Sequence, residues 1–86
     1  MPRALTVKRT VVPKSGRAEY MKRLRDRQAY YERAGCKLLV FEEAGLPGAF
    51  IEFTEGPNAA VLSAAHERSP EQLLDANRIY QEVELR

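Results

Sequence analysis

Lys37-Leu38-Leu39-Val40-Phe41-Glu42, then Glu43-Ala44-Gly45-Leu46-Pro47-Gly48, then Ala49-Phe50-Ile51-Glu52-Phe53-Thr54 is the stretch that decides the fold. The two flanks carry the valine, isoleucine, threonine and phenylalanine that suit a pleated, half-buried backbone. The six residues between them are rich in turn formers, so a hairpin is the natural connection. Both predicted strands are largely apolar on both of their faces. A single layer of helices covers only one face of a sheet, so the other face needs burial too.

Working back from the hairpin, Leu5, Val7 and Val11 alternate with Thr6, Lys8 and Thr10, which predicts a first strand. Arg9 has the parity of the apolar face and interrupts it. Pro13 ends this strand because it has no N–H for the ladder, and Ser15-Gly16 marks a turn into a helix. Residues 17–34 then change to helical spacing. Tyr20, Leu24 and Tyr31 form the stripe, with Met21 and Gln28 beside it. Arg17, Lys22, Arg23, Arg25, Arg27 and Arg33 read as a solvated surround, and Gly35 as the stop.

Working forward, Gly56-Pro57-Asn58 closes the third strand and opens a second helix with Val61, Leu62 and Ala65 on its apolar stripe. Ser69-Pro70-Glu71-Gln72 carries a fresh helix start, with Leu73, Leu74, Ile79 and Tyr80 as its expected core face. Val83 and Leu85 alternate with Glu82 and Glu84, which suits a short closing strand. The order β-α-β-β-α-(α)-β predicts an α+β, ferredoxin-like fold with an antiparallel sheet and helices on one face. Residues 1–86 make one domain. The bare apolar face predicts a homodimer joined sheet to sheet, a dimeric α/β barrel with an enclosed space between the sheets.

Composition excludes several classes. At 44% hydrophobic and 30% charged, the chain has the make-up of an ordinary globular domain. No apolar run approaches the roughly 18 residues of a membrane-spanning helix, and no signal-peptide core opens the sequence. The single cysteine, Cys36, offers no internal disulfide. A cytoplasmic setting is therefore expected. One cysteine and one histidine fall short of an N/S zinc set, and no glycine-rich phosphate loop is present. No metal and no cofactor are expected. Charge is divided along the chain. Residues 1–43 hold eleven Lys/Arg against five Asp/Glu, a balance of +6, and residues 44–86 hold three against seven, a balance of −4. Nucleic-acid binding through the basic helix is nonetheless disfavoured, because that helix sits across the sheet from the face expected to carry the strand phenylalanines.

Three stretches carry a family resemblance. Val12-Pro13-Lys14-Ser15-Gly16-Arg17 with Glu19-Tyr20 and Leu24 is similar to a strand–P-x-G–helix opening, here with two residues between proline and glycine. Phe50-Ile51-Glu52-Phe53 is similar to the third strand, and Ala65-His66-Glu67-Arg68-Ser69-Pro70 to a histidine-bearing second helix followed by a proline break. Together they resemble the antibiotic-biosynthesis monooxygenase-like group of dimeric α/β barrels. That resemblance implies cofactor-independent oxygenation of a small aromatic or apolar substrate in the barrel cavity. Within that resemblance haem degradation is disfavoured, since its haem-degrading members pair a tryptophan with a first-strand asparagine, whereas this chain has no tryptophan and offers Thr6, Lys8 and Thr10 on that strand.

His66 is the first catalytic candidate, on two grounds: it is the chain's only histidine, and it matches the family's helix position. Tyr31, Glu52 and Phe53 are the expected substrate contacts. Glu52 is a carboxylate in an otherwise apolar strand. Tyr20 reads as core, Glu42 as solvent-facing, and Arg9 as a partner for such a carboxylate. Cys36 has no adjacent base and is not expected to be a nucleophile. A non-catalytic dimer binding a small apolar or aromatic molecule accounts for the same residues without chemistry.

Overall fold

The computed structural model describes residues 2–70 and 78–85. Strand β1 (Ala4–Val11) is followed by a short 3-10 turn (Lys14–Gly16) and helix α1 (Arg17–Arg33). Strands β2 (Lys37–Glu42) and β3 (Ala49–Gly56), helix α2 (Ala59–Glu67) and strand β4 (Tyr80–Gln81) complete the order. The four strands form one antiparallel sheet in the order β2-β3-β1-β4, so this is an α+β domain with two helices among the described residues.

Local chemistry explains the boundaries. Gly35 ends α1 with φ +82°, a conformation that glycine adopts without strain, and the Cys36 N–H reaches back to the Tyr31 carbonyl at 2.8 Å. Asn58 caps α2 by accepting from the Val61 N–H at 2.9 Å. In the hairpin, Gly48 has φ +92°, and its carbonyl accepts from the Val12 N–H at 2.7 Å. A Cβ at Gly48 would lie 2.6 Å from the Val12 carbonyl oxygen, so only glycine lets the β2–β3 hairpin close against the end of β1.

Two sequence expectations are corrected. The closing strand falls at Tyr80–Gln81, pairing with Ala4 and Leu5, rather than in the alternating Glu82–Leu85. Val83 and Leu85 are 74% and 91% exposed. Tyr80 is accordingly a strand residue and not part of a last helix. Glu71, Gln72, Leu73 and Leu74, expected to start and line that helix, lie outside the described residues.

Register puts even-numbered residues of β1, β2 and β3 on one face and odd-numbered ones on the other. Both helices lie on the even face. Tyr20 and Leu24 of α1 pack with Leu38 and Phe50, while Leu62 and Ala65 of α2 pack with Ala4, Tyr31 and Cys36. The odd face carries Leu5, Val7, Leu39, Phe41, Ile51 and Phe53, and neither of the two described helices lies over it. Phe41 is 56% exposed, and it meets Phe53 edge to face at 5.9 Å. The three phenylalanines of β2 and β3 thus divide between the faces, Phe50 under the helices and Phe41 and Phe53 outside.

Candidate functional site

The even face contains the chemistry. Helix α1 sends Tyr20, Leu24, Arg27 and Tyr31 inward along one stripe, at successive spacings of four, three and four. Arg27, which reads in sequence as part of the solvated surround, is only 4% exposed. Its spacing to Leu24 and Tyr31 is the signal that points inward.

Glu52 of β3 meets this stripe. One carboxylate oxygen accepts from the Tyr20 hydroxyl at 2.7 Å, and the other lies 2.8 Å from the Arg27 guanidinium. The carboxylate is almost fully buried, as is its partner. An isolated charge there would be very costly, and the pairing offsets that cost. Burial, reinforced by the Glu52 carboxylate, pushes the Tyr20 hydroxyl far above its ordinary range, so it stays protonated and donates. Arg9, expected to reach a strand carboxylate, stands opposite Ile51 on the odd face and is exposed. Parity separates it from Glu52, and Lys8 occupies the matching position instead.

A second cluster sits further along the same helix stripe. His66 of α2 is 5% exposed, with Nε2 2.9 Å from the Thr6 hydroxyl and Nδ1 2.8 Å from the Tyr31 hydroxyl. The ring stands edge to face with Tyr31 at 5.4 Å. Burial first, and the nearby Arg27 charge second, lower the His66 pKa. The ring is therefore neutral at pH 7, with one nitrogen donating and the other accepting. Burial also raises the Tyr31 pKa, and Ser69 hydrogen-bonds the same side chain. Both histidine nitrogens are engaged by protein hydroxyls, so a substrate would reach either only by displacing Thr6 or Tyr31.

The expected site residues therefore separate into three places. Tyr31 and His66 come together in the second cluster, Glu52 lies in the first, and Phe53 stands on the odd face. Of these, Glu52 lines a cleft formed by described residues. That cleft, of about 270 Å³, lies between the end of β1, the turn after it and the first half of α1. Lys8, Thr10, Tyr20, Arg23, Arg27 and Glu52 supply its polar lining, and Val11, Val12 and Pro13 supply an apolar wall. Sequence reading misses Lys8 and Arg23 as lining residues, because nothing local distinguishes them from other surface cations, and misses Arg27 because its charged neighbours outweigh its helical spacing.

Elsewhere, Glu42 is exposed at the strand end, where Arg17 grips both its oxygens at 2.7 and 3.0 Å. That grip and the Gly48 N–H hold its carboxyl down at about 2. Cys36 is buried, and burial pushes its thiol pKa up, away from thiolate chemistry. Among the described residues, no group of three His, Cys, Asp or Glu is placed to hold a metal, and no helix is long and apolar enough to cross a membrane. None of the family models, curated proteins or solved structures compared with this chain matches it.

Proposed function

We propose that this chain is a ferredoxin-like subunit of a homodimeric α/β barrel, and that each subunit binds a small molecule in its helix-side cleft without transforming it. The strand order β2-β3-β1-β4 with antiparallel neighbours supports the ferredoxin-like reading. The uncovered odd face supports pairing of two copies, since a contiguous apolar patch of strand residues is rare on a monomer. The observation that carries the binding role is the cleft itself. Its floor is the buried Tyr20–Glu52–Arg27 cluster, while His66 is sealed away from it by Thr6 and Tyr31.

A second reading, a cofactor-independent monooxygenase-like enzyme, draws on one observation. Glu52, hydrogen-bonded by the Tyr20 hydroxyl, places a carboxylate in the lining of the cleft where a general base would stand. Sedimentation of the full chain tests the dimer: twice the chain mass is expected, and Phe53→Glu should return it to a monomer. A wild-type monomer at tens of micromolar overturns the barrel. Amide shift mapping with a panel of small aromatics tests the cleft, where perturbation should centre on Lys8–Gly16 and Tyr20–Arg27. Oxygen uptake then separates the readings. Consumption that Glu52→Gln lowers by about 10²-fold supports the enzyme, and binding without consumption supports the binding dimer.

A further inference from the structure

The cleft beside Tyr20 holds more positive charge than its own carboxylate neutralises. Its cations are Lys8, Arg23 and Arg27, and its one acid is Glu52. Arg27 and Glu52 compensate each other at 2.8 Å, which leaves Lys8 and Arg23 in surplus. Among the described residues the ion pairs are Arg3 with Glu55 and Glu82, Arg17 with Glu42, and Arg27 with Glu52. No described carboxylate lies within ion-pair distance of Lys8 or Arg23. Lys8 is half-buried, stands opposite Glu52 in the β1–β3 register and lines the cleft.

We infer that this cleft takes a small organic carboxylate, with its anionic group between Lys8 and Arg23 and its apolar body against Val11, Val12 and Pro13. The inference rests on the cleft being the ligand site proposed above. Three features select this class. The two surplus cations ask for an anion, and charge-assisted hydrogen bonds to a carboxylate are stronger than those to a neutral group. The wall of Val11, Val12 and Pro13 rewards an apolar body, which inorganic phosphate lacks. The volume of about 270 Å³ lies just under the roughly 300 Å³ at which drug-sized pockets begin, so the ligand is small.

The test is an amide-shift titration of the full chain with sodium benzoate, benzamide and inorganic phosphate at constant ionic strength. Benzoate should move the Lys8, Thr10 and Arg23 amides and bind at least about fivefold more tightly than benzamide. Lys8→Met and Arg23→Met should each weaken benzoate about three- to fivefold, the scale of one partly exposed charge pair, and leave benzamide unchanged. Both side chains lie outside the buried clusters, and the same spectra show whether each variant is folded. Equal affinity for benzoate and benzamide in the cleft overturns the carboxylate assignment and leaves the binding reading standing. Phosphate binding as tightly as benzoate overturns the organic ligand. No shift at the cleft with any of the three overturns both this inference and the reading beneath it.

Discussion

Under the helices, β3 presents Phe50, Glu52, Thr54 and Gly56, whereas its other face presents Ala49, Ile51, Phe53 and Glu55. Strand β1 repeats the contrast, with Ala4, Thr6 and Lys8 beneath α2 and the cleft and Leu5 and Val7 on the uncovered side. The more apolar face of this sheet is thus the one opposite the two described helices. The covered face is held by directed bonds, Tyr20 and Arg27 on Glu52, Thr6 and Tyr31 on His66, beside two small apolar clusters. Apolar content alone does not identify the interior. Directed polar contacts fix one helix position against the sheet, while a smooth apolar face suits association with a second copy.

The sharpest way to break this contrast is to remove one member of the buried ion pair. Arg27→Met leaves Glu52 under the helices with the Tyr20 hydroxyl as its remaining described partner. Loss of one partner of a buried pair typically costs about 3–5 kcal/mol. Urea unfolding at one fixed protein concentration should register a loss of that size. The double variant Arg27→Met with Glu52→Leu should recover most of it, because no charge is then left buried. A loss below about 1 kcal/mol in the single variant would show that water reaches Glu52 and that the covered face is not dry.

A smaller effect belongs to His66. Its folded pKa is lowered by burial and by Arg27, while the unfolded chain titrates near its ordinary value of about 6.5. The unfolded state therefore binds a proton first as pH falls. His66 contributes stability that is complete above about pH 6.5 and is lost progressively as pH drops through that value toward the folded one. For one proton the slope is at most about 1.4 kcal/mol per pH unit. With a single histidine in the chain, unfolding free energies measured between pH 7.5 and 5.5 report this group. His66→Gln should flatten the curve there. A curve unchanged by the substitution would mean that the histidine is solvated in the folded state.

The contrast between faces is partly legible in the amino-acid order alone. Period-two alternation and the turn-rich 43–48 stretch locate β1, β2 and β3 within two residues, and apolar residues on both faces of β2 and β3 point to a second buried face without saying which one the helices cover. Asn58 and Gly35 mark helix ends because capping is local chemistry. Arg27 reads as surface despite its spacing to Leu24 and Tyr31, since its partner Glu52 is 25 residues away in sequence and six charged neighbours between Arg17 and Arg33 suggest a wet surface. His66 stands out as a solitary titratable group, yet only the arrangement in space shows both ring nitrogens spent on Thr6 and Tyr31. Glu52 and Phe53 are adjacent in sequence and lie on opposite faces, which is what a strand does to neighbours.

Glu42 sharpens the comparison from the other side, because it lies on the even face but at its wet rim. Arg17 binds both carboxylate oxygens and the Gly48 N–H adds a third bond, yet solvent reaches the group. Its folded pKa is held at about 2, against an ordinary value near 4.5. Its contribution is present above about pH 4.5 and is lost as pH falls from there toward 2. Glu42→Gln should lower the urea midpoint at pH 7 by less than either change above, since screened surface pairs contribute little. The gap between variant and wild type should close on acidification to pH 2 and shrink at 1 M salt, where the screening length is about 3 Å. The Arg27 variant should keep its deficit in salt, because its pair is buried. A Glu42 gap that persists unchanged in both acid and salt would place its effect in the hairpin backbone, through Gly48, and not in the ion pair.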